Sequence, residues 1–337
     1  VHARLHRAAA LAAREAVQTA LDRHGVPGSA QGLLRLETSL DPASMQTMLR
    51  CLGLPPDYVQ ALGASEASAL AGIALTWPAW FYPSGGWVQP AGLARSFLER
   101  AASRVELRTA VEVHSLRHDG TLWLLLDARG QVIDRAATVV LANAGEALRL
   151  LGAPDWPIDK VRGQTSMVST RAGTLVPPRV PVAGAGYLLP EIAGHAIFGA
   201  TAQRGDDDAS VRLEDHVDNL ARLEKLIGHR LDVNATELQG RTAWRWSSRD
   251  RLPVIGAVPD ATPRPGARLD QPRYVPRLPG LFVFTALGSR GIGWSALGAQ
   301  VLASIITGAP VPLEASLLDA IDPARFISRR VRRVQRT

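Results

Sequence analysis

The stretch from Gly280 to Gly308, GLFVFTALGSRGIGWSALGAQVLASIITG, constrains this chain more than any other. Leu281-Phe282-Val283-Phe284 is a short apolar run and predicts a buried strand. Gly288-Ser289-Arg290-Gly291-Ile292-Gly293 follows as a glycine-rich turn. Residues 295–307 are small, apolar and helix-permissive, with Gly308 at the C′ position and Pro310 just beyond. A strand, a glycine turn and a helix in that order gather backbone N–H groups and the positive end of a helix dipole at one point. Three glycines let the backbone approach a flat or anionic ligand. The same pattern also describes an ordinary strand-to-helix connection, because the 337 residues contain no phosphate-loop lysine and no GxGxxG.

That length allows one large or two medium domains. An apolar fraction of 46% and a charged fraction of 20% fit a soluble globular protein. No run of about 18 apolar residues occurs, so no membrane span is expected. Cys51 is the one cysteine, which excludes an intrachain disulfide and a cysteine-based metal site. It is consistent with a reducing, cytoplasmic setting. The eight histidines include no HExxH, and His114 and His118 fall on a strand and its turn, so no metal is expected. GxSxG is absent, and no histidine is set to act as base for Ser289.

The net charge is +7, and only Lys160 and Lys225 are lysines. Arginine excess suits phosphate recognition. Its densest run holds Arg325, Arg329, Arg330, Arg332 and Arg333, which reads either as a nucleic-acid contact or as a solvated helix.

Element order is α/β, then β-rich, then α/β again. Residues 3–24 read as a helix. Asp41 caps a second helix through Leu52, with Pro42 at its first position. Residues 57–62 and 66–70 read as short helices, 73–83 as a loop or irregular strand, and 91–102 as a helix after Pro90. Strands are expected at 105–107, 110–116, 122–126, 132–134 and 138–142. The last of these ends in Asn143-Ala144-Gly145, a second small-residue turn before a helix. From Trp156 onward strands dominate, interrupted by a helix at 214–226. Residues 260–279 hold five prolines and read as a surface loop. This pattern predicts two interleaved domains: 1–30, 86–152 and 272–337 in one, 31–85 and 153–271 in the other.

Residues 238–246 read as a strand ending in Trp244-Arg245-Trp246. Arg245 shares a strand face with Ala243 and Ser247. An arginine on the inner face of a sheet requires an anionic partner. That partner is either a substrate carboxylate, held bidentately, or a protein carboxylate such as Asp250.

The segments SGGWVQPAGLARSFLE, VRGQTSMV, GYLLPEIAGHAIFGAT, SSRDRLPVIGAVPD, LGSRGIGWSALGAQVLASIITGAPVPL and DPARFISRR resemble the D-amino-acid-oxidase-type flavoproteins. Within that family they are most similar to the oxidases that modify the wobble uridine of tRNA. The match extends over nearly the whole chain. It implies a Rossmann-like FAD-binding domain interleaved with a β-rich antiparallel substrate domain. It also implies oxidation of the C–N bond of 5-carboxymethylaminomethyl-2-thiouridine to an imine, from which water releases glyoxylate and leaves the aminomethyl nucleoside. Carried over by position, Gly288, Ser289, Arg290, Gly291, Ile292 and Gly293 border the isoalloxazine. Val113 meets the adenine through its backbone, and Ala142 and Gly145 line the nucleotide side. Arg245 holds the substrate carboxylate, with Arg290 beside it, and Tyr187 faces the substrate. The partners implied are tRNA and a methyltransferase domain or separate chain. The family's opening strand–GxGxxG–helix unit lies ahead of this sequence, so the dinucleotide-binding domain is expected to lack its first βαβ unit. A glycine- or sarcosine-type amine oxidase and a non-catalytic RNA- or protein-binding remnant are the alternatives.

Overall fold

A computed structural model describes residues 1–334 apart from 174, 261, 263–265 and 267. Its helices are α1 (His2–His24), α2 (Pro42–Leu52), α3 (Ala64–Ala71), α4 (Pro90–Ala101), α5 (Glu146–Leu150), α6 (Leu213–Ile227), α7 (Gly291–Thr307), α8 (Ala315–Ile321) and α9 (Arg325–Val334). The first nine strands are β1 (Gly28–Ser29), β2 (Leu33–Leu36), β3 (Gln60–Leu62), β4 (Ala79–Tyr82), β5 (Trp87–Val88), β6 (Ser115–His118), β7 (Trp123–Leu126), β8 (Val132–Ala136) and β9 (Val139–Leu141). The others are β10 (Ile158–Ser169), β11 (Val182–Ala183), β12 (Tyr187–Leu188), β13 (His195–Gly199), β14 (Gln203–Arg204), β15 (Gln239–Ser248), β16 (Val254–Pro259) and β17 (Arg277–Thr285). The architecture is mixed α/β.

The chain divides into two compact units, each assembled from separated stretches. The first takes Val1–Ala13, Ala102–Val161 and Arg245–Thr337; the second takes Arg14–Ala101 and Arg162–Trp244. These borders differ from the expected ones. Residues 14–30 and 86–101 fall in the second unit because β1 pairs with β5 and because Ala20, Val26, Val88 and Leu93 share one core cluster. Residues 153–161 and 245–271 fall in the first, where β16 runs antiparallel to β17.

In the first unit β17 is flanked by β16 on one side and by β9, parallel, on the other. Strands β6, β7 and β8 form a separate antiparallel meander. Trp123, Val139, Leu141, Val254, Val283 and Phe326 belong to one buried cluster. Helix α7 packs Trp294, Leu297 and Val301 with Leu252 and Ile255. It reaches the sheet closely because of Gly298, where a Cβ would stand 2.5 Å from the Phe284 ring. The strand expected at 105–107 is absent and the one expected at 110–116 survives only in its last two residues, at the start of β6, since residues 105–113 carry neither helix nor strand. An alternating pattern supplies side chains for a strand but not the neighbouring backbone that makes one.

Helix α9 is fixed to this unit by ion pairs. Asp250 accepts from Arg325 Nε at 2.9 Å and Nη2 at 3.1 Å, and also from Arg329. Arg325, 1% exposed, donates further to the carbonyls of Ile321 and Leu252. Burial alone would raise the Asp250 pKa, but Arg325, Ser248 and Arg329 hold the carboxyl well below the ordinary range.

The second unit is built on a nine-stranded sheet, β14-β10-β13-β12-β11-β2-β4-β3, with β15 also paired to β10. Residues 60–62, expected to be helical, form β3 against β4, the usual ambiguity of a short apolar run. Helix α2 is as expected: the Asp41 carboxylate accepts from Ser44 N at 2.9 Å, and Gly53 closes it at φ 60°. In the SGGW motif, a Cβ on Gly86 would lie 1.8 Å from the Ser29 carbonyl oxygen, so that glycine serves the β1–β5 pairing. Leu223, Leu226 and Ile227 of α6 join Leu34, Leu188 and Phe198 in the core. Arg162 and Asp215 pair at 2.5 Å with side chains 0% and 1% exposed. Near them His216 Nδ1 lies 2.8 Å from Ser166 Oγ, and burial lowers the His216 pKa. Among the described residues no helix is long and apolar enough to cross a membrane, and no three His, Cys, Asp or Glu side chains are placed to hold a metal.

Two outcomes are expected. Asp250→Asn leaves the buried Arg325 without its counter-charge and lowers unfolding free energy in urea by about 3–5 kcal/mol. Because the folded Asp250 pKa is depressed, its contribution is present above the unfolded value of 3.8 and is lost as pH falls below it. His216 is likewise depressed but basic. Stability is therefore full above its unfolded value of 6.5 and declines as pH drops below it, a slope that His216→Gln should flatten in urea midpoints at several pH values.

Candidate active site

Two parallel strands place their exits on one side of the sheet. β9 leads into Ala142-Asn143-Ala144-Gly145 and β17 into Ala286-Leu287 and the glycine turn. The Thr285 hydroxyl donates to the Ala144 carbonyl at 2.7 Å, tying the turns together. Both turns hold a non-glycine residue in the left-handed region, Ala144 at φ 53° and Ala286 at φ 57°. An L-residue is strained there by roughly 1–2 kcal/mol, and such strain gathers at functional sites.

The end of β15 lies across both turns. Ser247 forms an antiparallel bridge with Leu287. A Cβ on Gly288, which sits at φ 57°, would be 3.1 Å from Ser247 Oγ. The Trp246 indole covers Gly145, where a Cβ would be 1.8 Å from its ring. The Trp246 ring is thus a packing reason for this glycine, beside the nucleotide contact expected of it. Gly288, Ser289 and Arg290 form a 3₁₀ turn, and α7 begins at Gly291, four residues ahead of the position expected from the apolar run.

The glycines of this turn serve different ends. Gly288 is required by its backbone conformation. Gly291 and Gly293 are not: the nearest atom to a Cβ on Gly291 is Leu287 Cδ1 at 3.9 Å, and nothing lies within 4 Å at Gly293. Their side-chain positions face open space at the first turn of a 17-residue helix whose N-cap makes no side-chain hydrogen bond. Ser289, Arg290 and Ile292 are exposed. The Arg290 side chain makes no hydrogen bond or ion pair among the described residues. Its charge reaches His6, which meets Trp294 edge-on at 5.8 Å between centroids. Burial, then Arg290, then His2 keep the His6 pKa below its ordinary value.

Arg245 precedes Trp246 and shares a strand face with Ser247, the face turned to Gly288. It is half-buried, and its side chain makes no hydrogen bond or ion pair among the described residues. The alternative partner, Asp250, is occupied by Arg325 and Arg329. Tyr187 belongs to the second unit, in β12, paired with Ala183 and Gly199. Val113 lies in the stretch without secondary structure, and its carbonyl accepts from Arg149 at 3.3 Å. Of the five arginines expected to contact nucleic acid, Arg325 is a buried structural residue and leaves that group. Arg329 is half-buried against Asp250, Arg330 faces Asp155 at 3.5 Å, and Arg332 and Arg333 are exposed. Sequence reasoning missed Thr285, Ser247 and the Asp250–Arg325 pair. The last was detectable as two conspicuous motifs, SSRDRLP and DPARF.

A strand–turn–helix cradle with two glycines open at their Cβ positions thus lies beside an arginine side chain without a protein acid. The chain belongs to the FAD dependent oxidoreductase family (DAO), whose model matches residues 2–305. It is similar to the tRNA 5-methylaminomethyl-2-thiouridine biosynthesis bifunctional protein MnmC of Methylibium petroleiphilum, 45% identical over 338 residues, 96% of this chain and 51% of that protein. The protein of the same description from Ralstonia nicotianae is 40% identical over 347 residues, 98% of this chain and 52% of that one. The chain therefore spans about half the length of these relatives. Among solved structures, glycine oxidase from Geobacillus kaustophilus superposes with a TM-score of 0.69 at 23% identity, over 93% of this chain and 81% of its own, a likeness of fold.

The two kinds of glycine make opposite predictions for stability. Gly145→Ala should drive Trp246 from its place, lower stability by about 1–3 kcal/mol and alter the near-ultraviolet circular dichroism. Gly293→Ala should be neutral or stabilising by up to about 1 kcal/mol, read from urea midpoints.

Proposed function

We propose that this chain is the catalytic part of an FAD-dependent oxidase acting on 5-carboxymethylaminomethyl-2-thiouridine at the wobble position of a cytoplasmic tRNA. The products are glyoxylate and 5-aminomethyl-2-thiouridine. The observation that carries this reading is Arg245, a half-buried guanidinium without a protein acid, on the strand face that meets the glycine turn. The names of the relatives supply the tRNA substrate class.

The residues present fit a flavin. Gly291 and Gly293 leave room at the α7 N-terminus for a flat ring, and the first-turn N–H groups there carry no side-chain cap. Gly288, Ser289, Arg290 and Ile292 complete that border, with Ala142 on the neighbouring turn. Bound FAD supplies the two-electron acceptor for the substrate C–H bond. Arg245 holds the carboxymethyl group by paired charge-assisted hydrogen bonds, fixing the carbon between carboxylate and amine. Arg290 and the α7 N-terminus stabilise negative charge at the turn. Loss of a hydride equivalent from that carbon and of the N–H proton to solvent gives the imine, and water adds across it to release glyoxylate and the primary amine. Tyr187, carried over by position from the family resemblance, is proposed as a second residue facing the substrate. Arg329, Arg330, Arg332 and Arg333 contact tRNA phosphates, and a methyltransferase domain or chain acts alongside.

Arg245→Gln should leave the flavin absorption spectrum unchanged while lowering kcat/KM for the modified tRNA about 10- to 100-fold, the worth of a charged hydrogen bond. Gly293→Val should do the reverse: intact folding and FAD affinity weakened at least about tenfold. Turnover of free glycine at rates matching the tRNA substrate would instead favour a small-amine oxidase. Protein that stays colourless with added FAD would reject the oxidase.

A further inference from the structure

At the opposite end of β17 from the glycine turn, the first unit holds a cavity of about 420 Å³. Its walls include Trp123, Trp156, Phe326, Leu116, Leu150 and Leu281. The Trp156 and Phe326 rings stand 5.9 Å apart at 41°. Its polar lining is Asp155, Asp260, Thr262 and Arg330. Arg330 and Asp155 are 3.5 Å apart, with side chains 64% and 96% exposed. A pair so open to water holds its members weakly, so both groups are available to a ligand. Arg333 follows Arg330 at helical spacing, five to six ångströms away at Cβ, roughly. Its side chain is exposed and makes no hydrogen bond or ion pair among the described residues.

We propose that this cavity receives an unpaired, amino-bearing nucleobase of an RNA, while Arg330 and Arg333 take the adjoining phosphates. The proposal rests on the tRNA reading above and assigns it a second contact point. Three features converge on this ligand. The slot is apolar and aromatic-walled, which suits a flat ring, and RNA recognition commonly splays single bases onto aromatic side chains. Its rim carries carboxylates, which only accept hydrogen bonds and so match the exocyclic amino groups of adenine, cytosine or guanine. Arginines stand beside it, matched to phosphate. A simple carboxylate ligand would meet two like charges at the rim, and a plain hydrocarbon would leave the Arg330–Asp155 pair without a role. The site is distinct from the oxidation site. Leu281 and Thr285 alone are separated by roughly 13 Å of strand, and the glycine turn lies beyond Thr285. The base held here is therefore an anchoring nucleotide and not the oxidised one.

The test is equilibrium binding of a fluorescently labelled unmodified tRNA to the full chain at several salt concentrations. Trp156→Leu keeps the position apolar and removes the stacking surface. It should weaken binding about tenfold at fixed salt, the order expected for one stacked base, with the salt slope unchanged. Arg333→Gln should weaken binding and reduce the slope of log affinity on log salt by about one. Arg129→Gln, an exposed arginine on the meander turn, should do neither. In competition against the wild-type complex, a short oligoadenylate should outcompete oligouridylate of equal length about tenfold, a comparison that needs no variant. Unchanged binding by Trp156→Leu of native circular dichroism, or equal competition by the two homopolymers, overturns the cavity assignment while leaving the oxidase reading intact. Wild-type protein that binds no tRNA at low salt removes the tRNA reading itself.

Discussion

Parallel strands must leave a sheet at the same end, and the pairing of β17 with β9 brings two small-residue turns together there. Their register, Leu281 with Val139 and Val283 with Leu141, leaves both chains free at almost the same height. The Thr285 hydroxyl then closes the gap between them through Ala144. Everything proposed about the active site depends on this juxtaposition. The α7 N-terminus is aimed by β17, and β15 has a ledge to lie across only because the turns are side by side. Helix α7 must also approach the sheet closely, which Gly298 permits.

The part of this arrangement legible in the sequence was local. The apolar run before the glycines, the capping of α2 by Asp41 and the turn after β9 all follow from periodicity and turn chemistry. What was not legible depends on distant partners. Residues 105–113 have the alternation of a strand, but alternation cannot state whether a neighbouring backbone is present. Residues 60–62 were too short for period to separate helix from strand, and β4 decided the matter. The unit borders differ from the expected ones for the same reason: β1 and β5 contribute only two residues each, yet their pairing joins residues 14–30 to 86–101 in the second unit.

Arginine shows the same contrast within one side-chain type. Arg325 and Arg245 both sit in family-like motifs, and composition cannot tell them apart. Arg325 is fully buried against Asp250 and three backbone carbonyls, a complete solvation shell made of protein. The charge is fixed there, because removing either partner would strand the other in low dielectric. Arg245 is surrounded by less protein and by no acid. A guanidinium in that state remains tolerable only by retaining water or by taking an anion, which is the physical content of calling it a ligand-binding group.

The glycines carry a parallel argument. Gly288, Gly298 and Gly86 each have a reason inside the protein: a backbone angle, a packed ring, a neighbouring carbonyl. Gly291 and Gly293 have none, and glycine in a helix costs roughly 0.5–1 kcal/mol relative to alanine. Two such residues in one turn form a stability deficit that nothing in the fold offsets. A ligand lying against the α7 N-terminus accounts for it, since a Cβ at either position would project toward the space that ligand takes. The uncapped first turn points the same way, because its N–H groups gain a partner from whatever occupies that space. Backbone economy and electrostatics thus single out one location, and Arg245 lies on the strand that crosses it.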